Sequence, residues 1–215
     1  MKDSDIATRD RLLAAAIREF ADKGFEGATV RDICERANVN VNGVKYYFED
    51  KNGLYIAAVA EAHRVSTRMD LHALPDPALP AEQRLRQFVS GMVAMMMGAR
   101  EEGDPHHTLM LREMANPTEA TEELVRGTIE PRFRVLDSLL SELLPPGTSP
   151  LQRQLFGFSI VGQCMHYKVA WPIVRLLLAA GDCQQLTQEL VACHIADVIL
   201  SAIAHRCAAS SSREK

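Results

Sequence analysis

The sequence predicts an all-α protein, and three observations carry that prediction. Apolar residues recur at i, i+3, i+4 and i+7 along most of the chain, the period of one buried helix face. No run alternates apolar and polar residues in the manner of a strand, and no internal repeat is present. Breaker clusters, ALPDPALP at 73–80 and PPGTSP at 145–150, separate the periodic segments. The expected division is a three-helix domain over 1–52, a linker helix over 50–72, a larger helical domain over 73–208 and a disordered tail over 209–215.

The elements follow in order. Residues 7–23 form a helix whose stripe is Leu13, Ala16, Ile17 and Phe20, and Gly24 ends it. Thr29 caps a second helix: its hydroxyl accepts from the N–H of Asp32, whose carboxylate suits the positive end of the macrodipole. Val30, Ile33, Cys34 and Ala37 make the buried face of that helix, and Asn38 tolerates the left-handed conformation that ends it. Asn40 caps a short third helix in which Val44 and Phe48 face inward and Val41, Asn42, Lys45 and Tyr46 face outward. Asp50 caps the linker helix. Residues 81–101 are helical, with Leu85, Phe88, Val89, Met92, Val93 and Met96 on one side. A loop at 101–105 leads to a short helix over 106–115. A longer helix from Asn116–Pro117 to about Leu144 is kinked by Pro131. Residues 151–171 form a helix with flat patches at Gly157 and Gly162, Pro172 bends the chain, and Leu186 to about Cys207 is the last helix. Apolar residues cover well over half the girth of that last helix, more than one packed side requires.

The chain of 215 residues is 47% hydrophobic and 24% charged, which suits a globular protein with a sizeable core. The N-terminus MKDSDIATRD is not a signal peptide, no run of 18 apolar residues occurs, and five cysteines form no disulfide framework. The expected location is therefore cytoplasmic. The net charge is −4, and residues 1–51 carry nine Lys and Arg against ten Asp and Glu. That balance excludes a charge-driven, non-specific nucleic-acid binder.

Two capped helices across a tight turn make a helix–turn–helix, and the outer face of the second suits a major groove. Asn42 offers an amide to an adenine edge and Val41 an apolar contact to a thymine methyl. Gly43 lets the backbone come close. Arg31, Lys45, Tyr46, Tyr47 and Lys51 reach toward phosphates, which set register. By spacing alone, a helical hairpin packed inside an all-helical domain reads equally well.

Residues 8–60, including TRDRLLAAAIREFADKGFEGATVRDICERANVNVNGVKYYFEDKNGLY, resemble the DNA-binding domain of the TetR family of bacterial transcriptional regulators. The resemblance rests on Phe20, Gly24 and Phe25, on Thr29 to Ile33, on the aromatic pair before Phe48, and on Lys51. Two positions depart from the family pattern: Asn38 stands where glycine is frequent, and Lys45 where tyrosine is common. The resemblance implies that Thr29, Tyr47 and Lys51 hold phosphates and that Val41, Asn42, Gly43 and Lys45 lie against bases. It also implies a homodimer through residues 151–171 and 185–207, reading double-stranded operator DNA with two heads, and a small-molecule effector. The segment LMLREMANPTEATEELVRGTIEPRF and the start Asn40–Val41 resemble the subgroup with a CecR-like C-terminal domain.

For an effector, Met92, Met96, Met110, Met114 and Met165 are adaptable apolar groups. His106, His107, Arg112, Glu113, Gln163, His166, Tyr167 and Trp171 are candidates to orient it. The competing reading of each methionine is core packing. No Cys-x-x-Cys or His-x-x-x-His spacing suggests a metal, and none is expected. Gly157–Phe158–Ser159 lacks the glycine that a nucleophile elbow needs at 161, where Val161 stands. No phosphate loop or dinucleotide fingerprint occurs, so neither catalysis nor a cofactor is expected. The expected function is a ligand-responsive repressor, and the alternative is a helical small-molecule-binding protein without specific DNA binding.

Overall fold

The computed structural model describes residues 3–67, 75–98 and 103–211. Among them the regular structure is all helical: α1 (Asp3–Gly27), α2 (Val30–Ala37), α3 (Asn42–Phe48), α4 (Lys51–Thr67), α5 (Ala81–Met97), α6 (Pro105–Ala115), α7 (Glu119–Leu124), a π-helical turn (Val125–Ile129), α8 (Glu130–Leu143), α9 (Pro150–Val169), α10 (Trp171–Leu177), α11 (Ala180–Gln185) and α12 (Gln188–Ser211). Residues 68–72 of the expected linker helix, 73–74 of the proline-rich break, 99–101 of the expected helix over 81–101, and 212–215 of the expected tail lie outside the described residues.

Helix ends follow local chemistry. The Asp104 carboxylate accepts from the His106 N–H at 3.0 Å and starts α6. Ser149 and Gln152 cap α9 reciprocally, with Pro150 in the first turn, where no N–H is needed. Four expectations are corrected. The helix placed from Pro117 starts instead at Glu119, because the Thr118 hydroxyl takes the cap by accepting from the Ala120 N–H. Pro131 does not merely kink its helix. In regular α geometry its ring would crowd the carbonyl four residues back, and it has no N–H; the preceding turn, Val125–Ile129, takes π geometry instead. Residues 180–185, which carry no strong period, form the short α11. Residues 209–211, expected in a disordered tail, continue α12.

The chain folds into two compact units whose borders differ from those the sequence suggests. The first holds residues 1–68 and 100–129, the second 69–99 and 130–215. The compact units do not follow the expected borders at 52 and 73, because the apolar faces of α6 and α7 pack on the N-terminal helices. Leu109, Met110, Ala120 and Leu124 are buried in one core with Phe20, Ile33, Phe48, Leu54 and Tyr55.

In the second unit α5 is central. Its six periodic apolar residues are all buried, against Leu136 and Leu140 of α8, Ile160 and Cys164 of α9, and Val191, Ile195 and Ile199 of α12. Arg153 of α9 pairs with both Asp137 oxygens of α8 at 3.1 and 3.2 Å, and Arg86 of α5 with Asp197 of α12 at 2.7 Å. Gly157 gives room to the Phe133 ring, whose tip would lie 2.7 Å from a Cβ there, whereas Gly162 faces open space. Burial pushes the Cys164 thiol up to about 12, so it is a packing group rather than a nucleophile. By length and composition alone α12 would suit a membrane span. Here its Val191–Ile195–Ile199–Ile203 row packs into this core, while Leu190 and Val198 stay exposed.

Candidate nucleic-acid interface

The reading head is assembled from short-range rules. Gly24, at φ 72°, breaks α1 where the chain must turn. The Thr29 hydroxyl accepts from the Asp32 N–H at 3.1 Å. Asn38 adopts φ 53° and ψ 51°, and the Val39 N–H returns to the Cys34 carbonyl at 3.0 Å. The Asn40 side chain then accepts from the Asn42 N–H at 2.9 Å and starts α3. Val44 and Phe48 are buried, as their spacing predicts. Val41 is 52% exposed and Tyr46 76% exposed, and Asn42 and Lys45 share that outer face. Beside it, Arg31, Glu35, Asn38, Asn40 and Val41 line an open groove of about 610 Å³.

Gly43 has a different reason from the one its neighbours suggest. A Cβ there would lie 2.9 Å from Val39 Cγ1 and 3.3 Å from Leu12 Cδ1. Its bare face is turned to the support helix, not outward. Gly43 thus seats α3 on α1, and the support helix is enough to account for its missing side chain.

The charge balance is resolved by pairing. Glu19, 2% exposed, holds both Lys23 and Arg36, the latter at 3.1 Å. Lys23 also reaches Asp32 at 3.0 Å, and that contact, with the Thr29 hydroxyl, holds the Asp32 carboxyl below its usual range. Arg31 lies against Glu35 at 2.9 Å on the open surface, a pair weak enough to exchange for a phosphate. The Tyr47 hydroxyl donates to Asp5 at 3.4 Å, and its ring meets Tyr46 edge-on. Among the described residues Lys45 and Lys51 carry no ion pair. Lys51 instead sits above the Phe25 ring, 4.6 Å from its centroid. Glu19, Asp32 and Glu35 are thus paired within the head, while Lys45 and Lys51 keep their charge available.

The joint between α3 and α4 is tight. Glu49 takes φ 71° and ψ −56°, and the Asp50 N–H donates to the Phe48 carbonyl at 2.9 Å, a γ-turn of the strained sign. Asp50 caps α4 by accepting from the Gly53 N–H at 2.9 Å. A Cβ on Gly53 would lie 2.1 Å from the Phe48 carbonyl oxygen, so no other residue fits there.

Behind the head, α6 supplies two adjacent residues that sequence reading assigned to a ligand. Arg112 donates to the carbonyls of Ala21 and Asp22 at 2.7 and 3.0 Å. These belong to the turn that Gly24 breaks, so Arg112 caps α1 from 90 residues away. Glu113, 1% exposed, accepts from the Tyr55 hydroxyl (2.7 Å), the Thr118 N–H (2.8 Å), the Thr118 hydroxyl (2.9 Å) and the Thr121 hydroxyl (2.6 Å). Burial alone would raise its pKa, but the hydrogen bonds from Thr121, Tyr55 and Thr118 outweigh it and leave the carboxyl below the ordinary glutamate range. Burial and this carboxylate push the Tyr55 hydroxyl far up. Glu113 is thus engaged as a buried structural anchor, with Oε1 accepting three of these bonds and Oε2 one. Sequence reading missed Glu19, Gly53 and this role of Glu113, and only the Glu19–Lys23 spacing of four gave a local signal.

The other ligand candidates are divided. Met110 is buried in the first unit's core and Met114 is exposed on α6. Met92 and Met96 are buried in the second unit's core, and Met165 packs against the same core. Gln163 donates to the Ser159 carbonyl, and exposed His166 meets the Tyr167 ring edge-on. Trp171 is half-buried in the first turn of α10.

Comparison with known proteins agrees with this geometry. A family model described as bacterial regulatory proteins, tetR family, matches residues 12–58. A second, described as the C-terminal domain of the HTH-type transcriptional dual regulator CecR, matches residues 81–204. The probable HTH-type transcriptional regulator YttP of Bacillus subtilis is 30% identical over 97 residues, 45% of this chain and 47% of YttP, so the chain spans less than half of that relative. Among solved structures, AibR in complex with isovaleryl coenzyme A and operator DNA is 17% identical over 89% of this chain and 97% of its own, with a TM-score of 0.59. FadR from Bacillus subtilis in complex with stearoyl-CoA is 17% identical over 90% and 98%, with a TM-score of 0.60. These structural likenesses establish the fold. With a capped helix–turn–helix matching one family model and more than half the chain matching the other, this protein belongs to the TetR family of bacterial transcriptional regulators and carries a CecR-type C-terminal domain.

Proposed function

We propose that the chain is a dimeric, ligand-responsive repressor of the bacterial cytoplasm that binds a palindromic operator and leaves it when a small molecule binds. The observation that carries this reading is the outer face of α3. Val41, Asn42, Lys45 and Tyr46 are exposed on and just before a short helix, and the neighbouring acids Glu19, Asp32 and Glu35 are each paired with a basic side chain. In this reading Val41, Asn42 and Lys45 meet base edges. Thr29, Arg31, Tyr46, Tyr47 and Lys51 meet phosphates. A titration of the full chain against the DNA upstream of its own gene, with scrambled DNA alongside at fixed salt, tests it. Specific binding is expected. Equal weak binding to both, followed by an empty selection from genomic fragments, overturns it.

The roles separate by mutation. Asn42→Ala is expected to cost about 1–3 kcal/mol at one base pair of each half-site and to relax preference there. Lys51→Ala is expected to weaken all DNA alike and reduce the salt slope by about 0.9 per half-site. Matching, sequence-independent effects from both variants would refute the division.

Dimerisation is supported by unpartnered apolar rows on two neighbouring helices. Leu151, Leu155 and Phe158 of α9 are exposed, the last two at 55% and 56%, as are Leu190 and Val198 of α12. Their spacing puts each row on one face, and a second copy would cover both. Phe158→Glu is expected to weaken self-association roughly 30-fold or more, read by sedimentation, with loss of tight operator binding. An unchanged dimer would place the interface elsewhere.

The effector would bind among the second unit's helices, where Met92, Met96, Gln163, His166, Tyr167 and Trp171 remain the candidate contacts. The CoA thioesters bound to AibR and FadR are the first compounds to screen. A ligand that favours a state with the heads moved apart needs a coupling of about 1–3 kcal/mol between the two sites.

A further inference from the structure

We propose that Phe25 is a positioning residue for the phosphate contact of Lys51, and that the α6–α7 corner holds Phe25 in place through Tyr55. The inference rests on the reading of Lys51 as a phosphate-binding lysine and deepens it. The Lys51 ammonium lies 4.6 Å above the Phe25 ring centroid and carries no ion pair among the described residues. An aromatic face attracts the cation without neutralising it, and it leaves the N–H groups on the far side free for a phosphate. A carboxylate partner, such as Glu35 against Arg31, offers neither advantage. Lysine has a flexible four-carbon stem, so a surface that narrows its range before binding reduces the ordering that DNA must impose.

Phe25 lies in the short helical turn that follows the break at Gly24, and that turn does not by itself fix the ring. Its ring is fixed by Tyr55, at 4.9 Å between centroids and 66° between planes, and Tyr55 also meets Phe20 edge-on at 4.8 Å. The Tyr55 hydroxyl is anchored to the buried Glu113 carboxylate at 2.7 Å. Next to Lys51, the Asn52 amide donates to Glu119 of α7 at 2.8 Å. The first turn of α4 is thus gripped twice from the α6–α7 corner, once by Glu119 and once through Tyr55.

The test is a double-mutant cycle on the full chain, using a duplex that the wild type enriches from sheared genomic DNA. Phe25→Leu is expected to weaken binding about fivefold in the wild-type background and not at all in the Lys51→Ala background. Phe25→Tyr, which keeps the aromatic face, is expected to restore binding. Tyr55→Phe removes only the anchoring hydroxyl and is expected to show the same dependence on Lys51 with a smaller factor, which keeps the test decisive if Phe25→Leu folds poorly. Equal weakening in both backgrounds, or none in either, overturns the inference and assigns the ring to packing alone. A salt slope unchanged by Lys51→Ala overturns the phosphate reading itself, and this inference with it.

Discussion

Gly53→Ala is expected to abolish specific DNA binding and to destabilise the first unit by about 3 kcal/mol or more. The added Cβ would meet the Phe48 carbonyl oxygen at 2.1 Å, and that atom is backbone, so no side-chain rotation relieves the contact. The same carbonyl accepts from the Asp50 N–H, and Glu49 between them already sits at φ 71°. Relief must come from moving α3 relative to α4, and α3 carries most of the face proposed to read bases. On thermal unfolding the loss corresponds to a fall of about 6–12 °C for a chain of this size. Melting temperature and operator affinity should both drop. A variant that melts like the wild type and binds as tightly would show that the joint relaxes without moving α3.

Glu113→Ala carries the second large effect, also about 3 kcal/mol or more, although Glu113 lies outside the reading head's four helices. One carboxylate accepts four hydrogen bonds in a site 1% exposed to solvent. Its removal strands the Tyr55, Thr118 and Thr121 hydroxyls and one backbone N–H, and loosens the cap that Thr118 makes on α7. Glu113→Gln should cost less, because it keeps the volume and one acceptor but points an amide at donors. The same site predicts a pH dependence. The folded carboxyl lies below the ordinary glutamate value of 4.5, so its stabilisation is fully present above that value and is lost as pH falls from 4.5 through the lowered folded value. Acid titration of stability should therefore be shallower for Glu113→Gln than for the wild type. Identical acid profiles would show that folding leaves the Glu113 carboxyl's affinity for a proton unchanged.

Much of the reading head was legible before any coordinates. Thr29 and Asn40 as starts, Asn38 as a stop, and Asp50 as the next start are chemistry within three residues of the backbone groups they satisfy. The inward faces of α2, α3 and α5 follow the helical period because each helix buries one side. The same local signals failed where two signals competed. Asn116–Pro117 offered a plausible restart, but Thr118 had both the hydroxyl and the Glu113 partner that made it the better cap. The cost of Pro131 was foreseen, but not that the backbone would meet it by widening a turn.

What the sequence by itself determined is the set of helices, most of their ends, and the outward face of α3, since these depend on groups one to four residues apart. The tertiary structure alone decided why Gly43 and Gly53 must be bare, which acids pair with Lys23, Arg31 and Arg36, and that α6 and α7 pack with the N-terminal helices. It alone turned Arg112 and Glu113 from ligand candidates into a helix cap and a buried anchor. Each of these is a contact between residues far apart in the chain, or between a side chain and a backbone atom that only folding brings near. Helical periodicity records which face of a helix is buried, but not which other helix covers it.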